Sequence, residues 1–288
     1  MPFPRPLRFG MSPCPNDTFA FWAALHGEVT DPHIRLELAM LDDVEALNRR
    51  ATGPLAERLD VTKLSVPALA AAIDDYAILP SGAALGFGCG PLVVRRANDP
   101  RRTLADLRGA RVAIPGERTT AFLLFSTFAS RECTFVPMRF HHILTAVANG
   151  EVDAGLVIHE SRFTYASHGL ALTADLGELW EQATNAPLPL GVIAIRRSLG
   201  RACYDATASL LRASVRLAQQ NPSRARPFVR QHSQEMNDDV CDQHIALYVN
   251  ERTVDLGDVG RHAIDAMLQR GRASGLLPAG RSPWWGDA

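Results

Sequence analysis

Residues 153–162 read Asp153-Ala154-Gly155-Leu156-Val157-Ile158-His159-Glu160-Ser161-Arg162: one acid, an unbroken apolar run, then four polar side chains. A short run of this kind with no polar interruption is the pattern of a strand covered on both faces, as strands of parallel sheets are. Its polar tail would stand at the strand's carboxyl end, where open α/β sheets bind ligands. The same order occurs earlier as Asp60-Val61-Thr62-Lys63-Leu64-Ser65. Each unit follows an amphipathic helix, residues 42–51 in one case and 143–148, stopped by Gly150, in the other.

Outward from these two units the signals alternate. Leu7–Met11 reads as a strand, Ser12 to Asp17 as a turn whose polar residues cap a helix over 18–26, and 34–41 as a strand. Pro67 opens an Ala-rich helix. After the polar stretch 97–102 a second βα series begins, with Thr119-Thr120 leading into an apolar helix over 121–129. This is the pattern of mostly parallel sheets flanked by helices. Residues 90–96 and 191–197 share the ending Arg-Arg after a Gly-led apolar run, and read as two strands crossing between lobes. The expectation is an α/β protein of two lobes, 1–95 with 196–288 as the larger and 96–195 as the smaller, with a ligand cleft between them. Residues 202–277 read as helices returning to the first lobe.

Composition narrows the function. The chain has 288 residues, 30 Lys+Arg against 31 Asp+Glu, and 47% hydrophobic residues. Its basic residues are scattered, which argues against a nucleic-acid partner and against a polybasic membrane face. Five cysteines with no C-x-x-C spacing read as thiols in a reducing compartment. Residues 1–10 lack the charged and apolar regions of an export signal, and no run of about 18 apolar residues occurs. A cytoplasmic location is expected. The Gly86-to-Gly90 run imitates a nucleotide loop but is followed by Pro91 and a strand, so no helix start points at a phosphate.

Chemistry concentrates at the strand ends. His159 follows the apolar run and has a reference pKa near 6.5, which suits a proton acceptor at neutral pH. Glu160 and Ser161 are candidates to orient it, though neighbours on a strand face opposite ways. Lys63, the single lysine of the chain, and Ser65 alternate with Leu64 and offer a cation and a hydroxyl on one side. Thr119 and Thr120 start a helix and read either as an anion site or as ordinary capping. Asn16 and Asp17, in the first strand–helix turn, carry the same two readings.

These residues resemble a known family. Ser12-Pro13-Cys14-Pro15-Asn16-Asp17-Thr18-Phe19, Thr62-Lys63-Leu64-Ser65, Gly116 to Ala121 and Ile158-His159-Glu160-Ser161-Arg162-Phe163-Thr164-Tyr165 are similar to motifs of the 1,4-dihydroxy-6-naphthoate synthases of the futalosine route to menaquinone. The resemblance runs from about Leu7 to Leu277. It implies the two-lobed fold of type II periplasmic binding proteins in a cytoplasmic enzyme. The activity implied is that of a lyase converting cyclic dehypoxanthinyl futalosine to 1,4-dihydroxy-6-naphthoate and dihydroxyacetone. The proton acceptor of that family falls on His159, and its substrate contacts fall on Lys63, Leu64, Ser65, Thr119 and Thr120. No metal and no organic cofactor are expected, and the partner implied is a small-molecule carboxylate substrate; the oligomeric state is not legible. Two alternatives use the same fold: a solute-binding protein without catalysis, and a chorismate dehydratase, against which the His159-to-Tyr165 run argues.

Overall fold

Hydrogen bonding in the computed structural model, which describes residues 5–129, 131–234 and 237–286, sorts the strands into two sheets. The first part of the chain runs β1 (Leu7–Met11), α1 (Pro15–Leu25), β2 (Leu36–Leu41), α2 (Val44–Thr52), β3 (Val61–Ser65), α3 (Val66–Ala71), β4 (Tyr76–Ile78) and β5 (Ala84–Gly86). It continues through β6 (Leu92–Arg96), β7 (Arg111–Ile114), α4 (Thr120–Phe128), β8 (Thr134–Pro137), α5 (Phe140–Ala148), β9 (Ala154–Val157), α6 (Ser161–Thr164), β10 (Leu170–Asp175), α7 (Leu176–Thr184) and β11 (Leu188–Arg196). Five helices close it: α8 (Arg201–Gln220), α9 (Pro222–His232), α10 (Asp238–Tyr248), α11 (Glu251–Val254) and α12 (Gly257–Ala273).

The strand orders show why the sequence repeats itself. One sheet is ordered β2-β1-β3-β11-β4, with β5 also on β11, and the other β10-β6-β9-β7-β8. Thus β3 and β9 occupy equivalent places, each parallel to the strand that opens its unit and antiparallel to a strand from elsewhere in the chain. The acids that precede them act alike. Asp60 accepts the backbone N–H of Arg8 and pairs with Arg5, while Asp153 accepts the backbone N–H of Arg111 and pairs with Arg101. A carboxylate at this point ties the start of the inner strand to its neighbour, which charge-assisted hydrogen bonds do well.

Two expectations are corrected. The sheets are mixed: β1–β2, β1–β3, β7–β8 and β7–β9 are parallel, but every pairing made by β6, β10 and β11 is antiparallel. Apolar runs alone do not reveal strand direction, because burial on both faces looks the same either way. The strands with matching Arg-Arg endings are indeed equivalent, but each lies wholly in the sheet it enters: β6 in the second, β11 in the first. The chain therefore changes sheets between β5 and β6 and again between α7 and β11, rather than at 95 and 195. At the first passage Gly90 lies so close to Gly177 that a Cβ on either would collide with the other's backbone.

The largest core cluster takes residues from both sheets, among them Leu64, Tyr76, Val93, Phe125, Leu156 and Trp180. Helix α1 packs against α8, α9 and α10, so the C-terminal helices return to the first sheet as expected. None of the helices, among the described residues, is long and apolar enough to cross a membrane.

Candidate active site

Strand β9 ends at Val157, and two residues later His159 adopts φ = +56°. This left-handed conformation costs a residue with a Cβ about 1–2 kcal/mol, and such outliers persist where the surroundings enforce them. The turn delivers the imidazole to the cleft and lets α6 start at Ser161. His159 and Glu160 are therefore not alternating strand residues, which corrects the geometry expected from the sequence. The His159 ring sits between Phe140, at 4.9 Å and 61°, and His244, stacked at 6.1 Å. Its Nε2 is enclosed and has no hydrogen-bond partner among the described residues. Burial pushes its pKa down to about 4, with Asp17 opposing and Lys63 reinforcing the shift. At neutral pH it is thus an uncharged imidazole with a lone pair available for a proton.

Lys63 is not a free cation. Its Nζ lies 2.6 Å from Asp17 Oδ1, and both side chains are buried. Asp17 also accepts the amide and hydroxyl hydrogens of Ser12 and one Nδ2 hydrogen of Asn16. Asp17 is thus committed to holding Lys63 and does not line the cleft, whereas Asn16 does. Leu64 also departs from its expected role as a contact: its side chain turns away into the core. Ser65 faces the cleft, with its N–H donated to Asn48 Oδ1 at 2.9 Å and its Oγ accepting from Asn48 Nδ2 at 3.1 Å.

Thr119 is the N-cap of α4: its Oγ1 accepts the Phe122 N–H and donates to the Gly116 carbonyl. Thr120 Oγ1 donates to Leu190 O at 2.7 Å, a contact between the two sheets' domains of the chain. Both hydroxyls are therefore occupied. What this helix start presents to the cleft is the pair of first-turn amides, Thr120 and Ala121, that precede the capped Phe122 N–H.

These groups enclose a narrow cleft with a volume of about 70 Å³. Lys63 and Ser65 form one wall, Thr119, Thr120 and His159 the other, and Tyr248 of α10 closes one end. Across its mouth α2 reaches the loop before α4: Asn48 donates to Arg118 O at 3.2 Å, Glu45 accepts the Arg118 N–H at 3.3 Å, and Gly116 packs on the Glu45 side chain. Arg162 fixes the second wall by donating to Gly90 O and pairing with Asp175 at 3.3 Å. Cys14 brings its sulfur within 4.8 Å of donor atoms of His159 and Glu160. Burial pushes this thiol well up, so it is held in the protonated form.

Sequence reasoning missed His244, Tyr248, Asn48 and Glu45. His244 and Tyr248 are four apart on α10 and so share a face, but Asn16, which His244 touches, is 228 positions away. No local signal joins them.

The menaquinone biosynthesis family model matches residues 7–273. The chain is 49% identical over 281 residues to the 1,4-dihydroxy-6-naphtoate synthase of Streptomyces coelicolor, covering 95% of each chain. To the enzyme of the same name from Thermus thermophilus it is 47% identical over 279 residues, covering 96% of this chain and 98% of that one. Among solved structures, the Candida albicans CA3427 gene product, described as exhibiting the generic periplasmic binding protein structural fold, superposes with a TM-score of 0.67 at 11% identity, covering 97% of this chain and 93% of that one. The match across nearly the whole length, on a two-lobed frame with its polar strand ends turned into one cleft, places the chain in the menaquinone biosynthesis family.

Proposed function

We propose that the chain is a 1,4-dihydroxy-6-naphthoate synthase that cleaves cyclic dehypoxanthinyl futalosine to the dihydroxynaphthoate and dihydroxyacetone, with His159 as the proton acceptor. The observation that carries the reading is the strained, uncharged imidazole of His159 facing Lys63 and Ser65 across a cleft. Abstraction of a proton next to a carbonyl needs such a base and donors for the oxygen that gains charge. The Ser65 hydroxyl, which accepts from Asn48 Nδ2 and keeps its own hydrogen to donate, stands opposite His159 for that purpose. The first-turn amides at Thr120 and Ala121 suit the substrate's carboxylate. Lys63, neutralised by Asp17, holds the wall in place and contributes a local positive end without a net charge. Formation of the aromatic product supplies the thermodynamic drive, so the protein must bind, deprotonate and exclude water.

Closure is supported by the α2 contacts to Arg118 and Gly116, which span the mouth and can exist only with the walls together. The buried thiols of Cys14, Cys89 and Cys203 fit a reducing compartment, and we place the enzyme in the cytoplasm. The test is mass spectrometry of the purified protein incubated with cyclic dehypoxanthinyl futalosine, beside His159→Asn. Release of dihydroxyacetone by the wild type and its loss in the variant are expected. Substrate recovered unchanged from the wild type would refute the enzyme, and turnover by His159→Asn near the wild-type rate would refute the base.

A further inference from the structure

The turn that carries the imidazole needs an anchor. Among the described residues, two that are not glycine have positive φ: Asn185, which ends α7 as asparagines often do, and His159, which precedes a helix. A conformation of this kind persists only where its surroundings impose it. The local backbone is not enough. The His159 carbonyl accepts the Arg162 N–H at 3.3 Å and the Glu160 carbonyl accepts the Phe163 N–H at 2.9 Å, which makes α6 a single turn, and a helix so short does not hold itself together. Phe140 and His244 bracket the imidazole, not the main chain. Arg162 is placed to do the rest. Its largely buried guanidinium donates from Nη1 to Gly90 O and from Nη2 to Asp175 Oδ2 at 3.3 Å. The other oxygen of Asp175 accepts the Gly177 and Glu178 amides that open α7, at 2.8 and 3.2 Å. Gly90 and Gly177 are the residues whose backbones touch where the chain first passes between the sheets. The planar fork of an arginine suits two acceptors at once in a way that a lysine does not.

We infer that Arg162 is a positioning residue for His159: its bonds to Gly90 and Asp175 hold the single turn of α6 and so impose the left-handed backbone that delivers the imidazole to the cleft. The inference deepens the proposed function and rests on it for the role of His159 as the base. Arg162 sits three residues beyond the base and is tied to two segments distant in sequence, the passage at Gly90 and the cap of α7. The base is thereby registered against the frame that joins the two sheets, not against its own short loop. A turn released from this anchor lets the ring gain solvent and lose its aim. Lys63, Ser65 and the amides at Thr120 and Ala121 belong to β3 and α4 and stay where they are. The loss therefore falls on the chemical step, where a displacement of about 1 Å costs about 10²-fold, and not on substrate binding.

Two variants of the full chain attack the anchor from its two ends. Arg162→Ala removes the guanidinium. Asp175→Asn keeps the cap of α7 through Oδ1 but puts an amide NH2 where an oxygen faced Arg162. Both should lower kcat by about 10–100-fold with KM within about threefold of wild type, and added guanidinium ion, at a concentration that leaves the wild type unaffected, should restore part of kcat in Arg162→Ala alone. A raised KM with kcat unchanged would overturn the inference. The second readout needs no substrate: nitrogen NMR titration of His159 in the histidine-labelled protein, its signal assigned with His159→Asn. Burial sets that titration, with Asp17 and Lys63 opposed and Cys14, Glu160 and His244 alongside. Release of the turn should move the His159 pKa upward, toward the ordinary histidine value, in both variants. A change of charge alone would move it up in Arg162→Ala and down in Asp175→Asn, so opposite shifts, or no shift in either, would overturn the inference. A wild type without turnover refutes the lyase reading, and the titration still decides the anchor. Melting temperatures check folding, and if Arg162→Ala does not fold, Asp175→Asn decides by the same two readouts, an unmoved or downward His159 pKa overturning the inference.

Discussion

Asp17→Asn tests the electrostatic frame of the site most directly. The substitution leaves shape almost unchanged but removes the charge that faces Lys63 at 2.6 Å in a pair whose side chains are 1% and 6% exposed. At an effective dielectric of about 20, unit charges this close attract by about 6 kcal/mol, against which the desolvation of both groups is set. Removing one partner leaves the other charge buried and uncompensated, which costs about 3–5 kcal/mol. Against a total stability of about 5–15 kcal/mol for a folded domain, this is a large share. At roughly 2–4 °C per kcal/mol for a chain of this size class, the melting temperature should fall by about 6–20 °C. Urea unfolding of wild type, Asp17→Asn, Lys63→Met and the double variant measures both the loss and the coupling, and the double variant should cost less than the sum of the singles. A loss below about 1 kcal/mol for Asp17→Asn, the value of an exposed pair, would show that the pair is solvated and that the reasoning about this wall is wrong.

Other outcomes follow from the same geometry. His159→Asn should lower kcat by about 10²–10⁴-fold, the usual contribution of a general base, while leaving the melting temperature within a few degrees of wild type; calorimetry beside steady-state assays separates the two. Stability should fall on acidification: His159 titrates near 4 folded against 6.5 unfolded, so between those values the unfolded chain binds more protons, and the stabilisation present above 6.5 is lost as pH drops through about 4. His244, also depressed by burial, adds in the same direction, and unfolding free energies measured across this range should decline. A flat profile there would contradict the burial of both rings. Asn48→Ala removes the partner of Ser65 and Arg118 across the mouth; it should raise KM by about 5–30-fold with a smaller effect on kcat, in line with about 1–2 kcal/mol for such hydrogen bonds. An equal fall in kcat with KM unchanged would place Asn48 in the chemical step instead.

The alternation of βα units, the repeated acid–strand–polar unit and the placing of Lys63, Ser65 and His159 at strand ends were all legible in the sequence, because each depends on periodicity and polarity within a few residues. The equivalence of Asp60 and Asp153 was visible as a spacing and explained by the hydrogen bonds to Arg8 and Arg111. What the sequence left open is pairing between distant segments. Strand direction in β6 and β11, the sheet each joins, the inward turn of Leu64 and the commitment of Asp17 to Lys63 all depend on partners tens of residues away. His244 lies 228 positions from Asn16, and only the packing of α10 on α1 makes it part of the site. Local chemistry along the chain thus determined which side chains have the means to act. The protonation and charge each one carries were decided by tertiary structure, because those depend on the solvent excluded and the neighbours brought in, and neither is a property of a residue by itself.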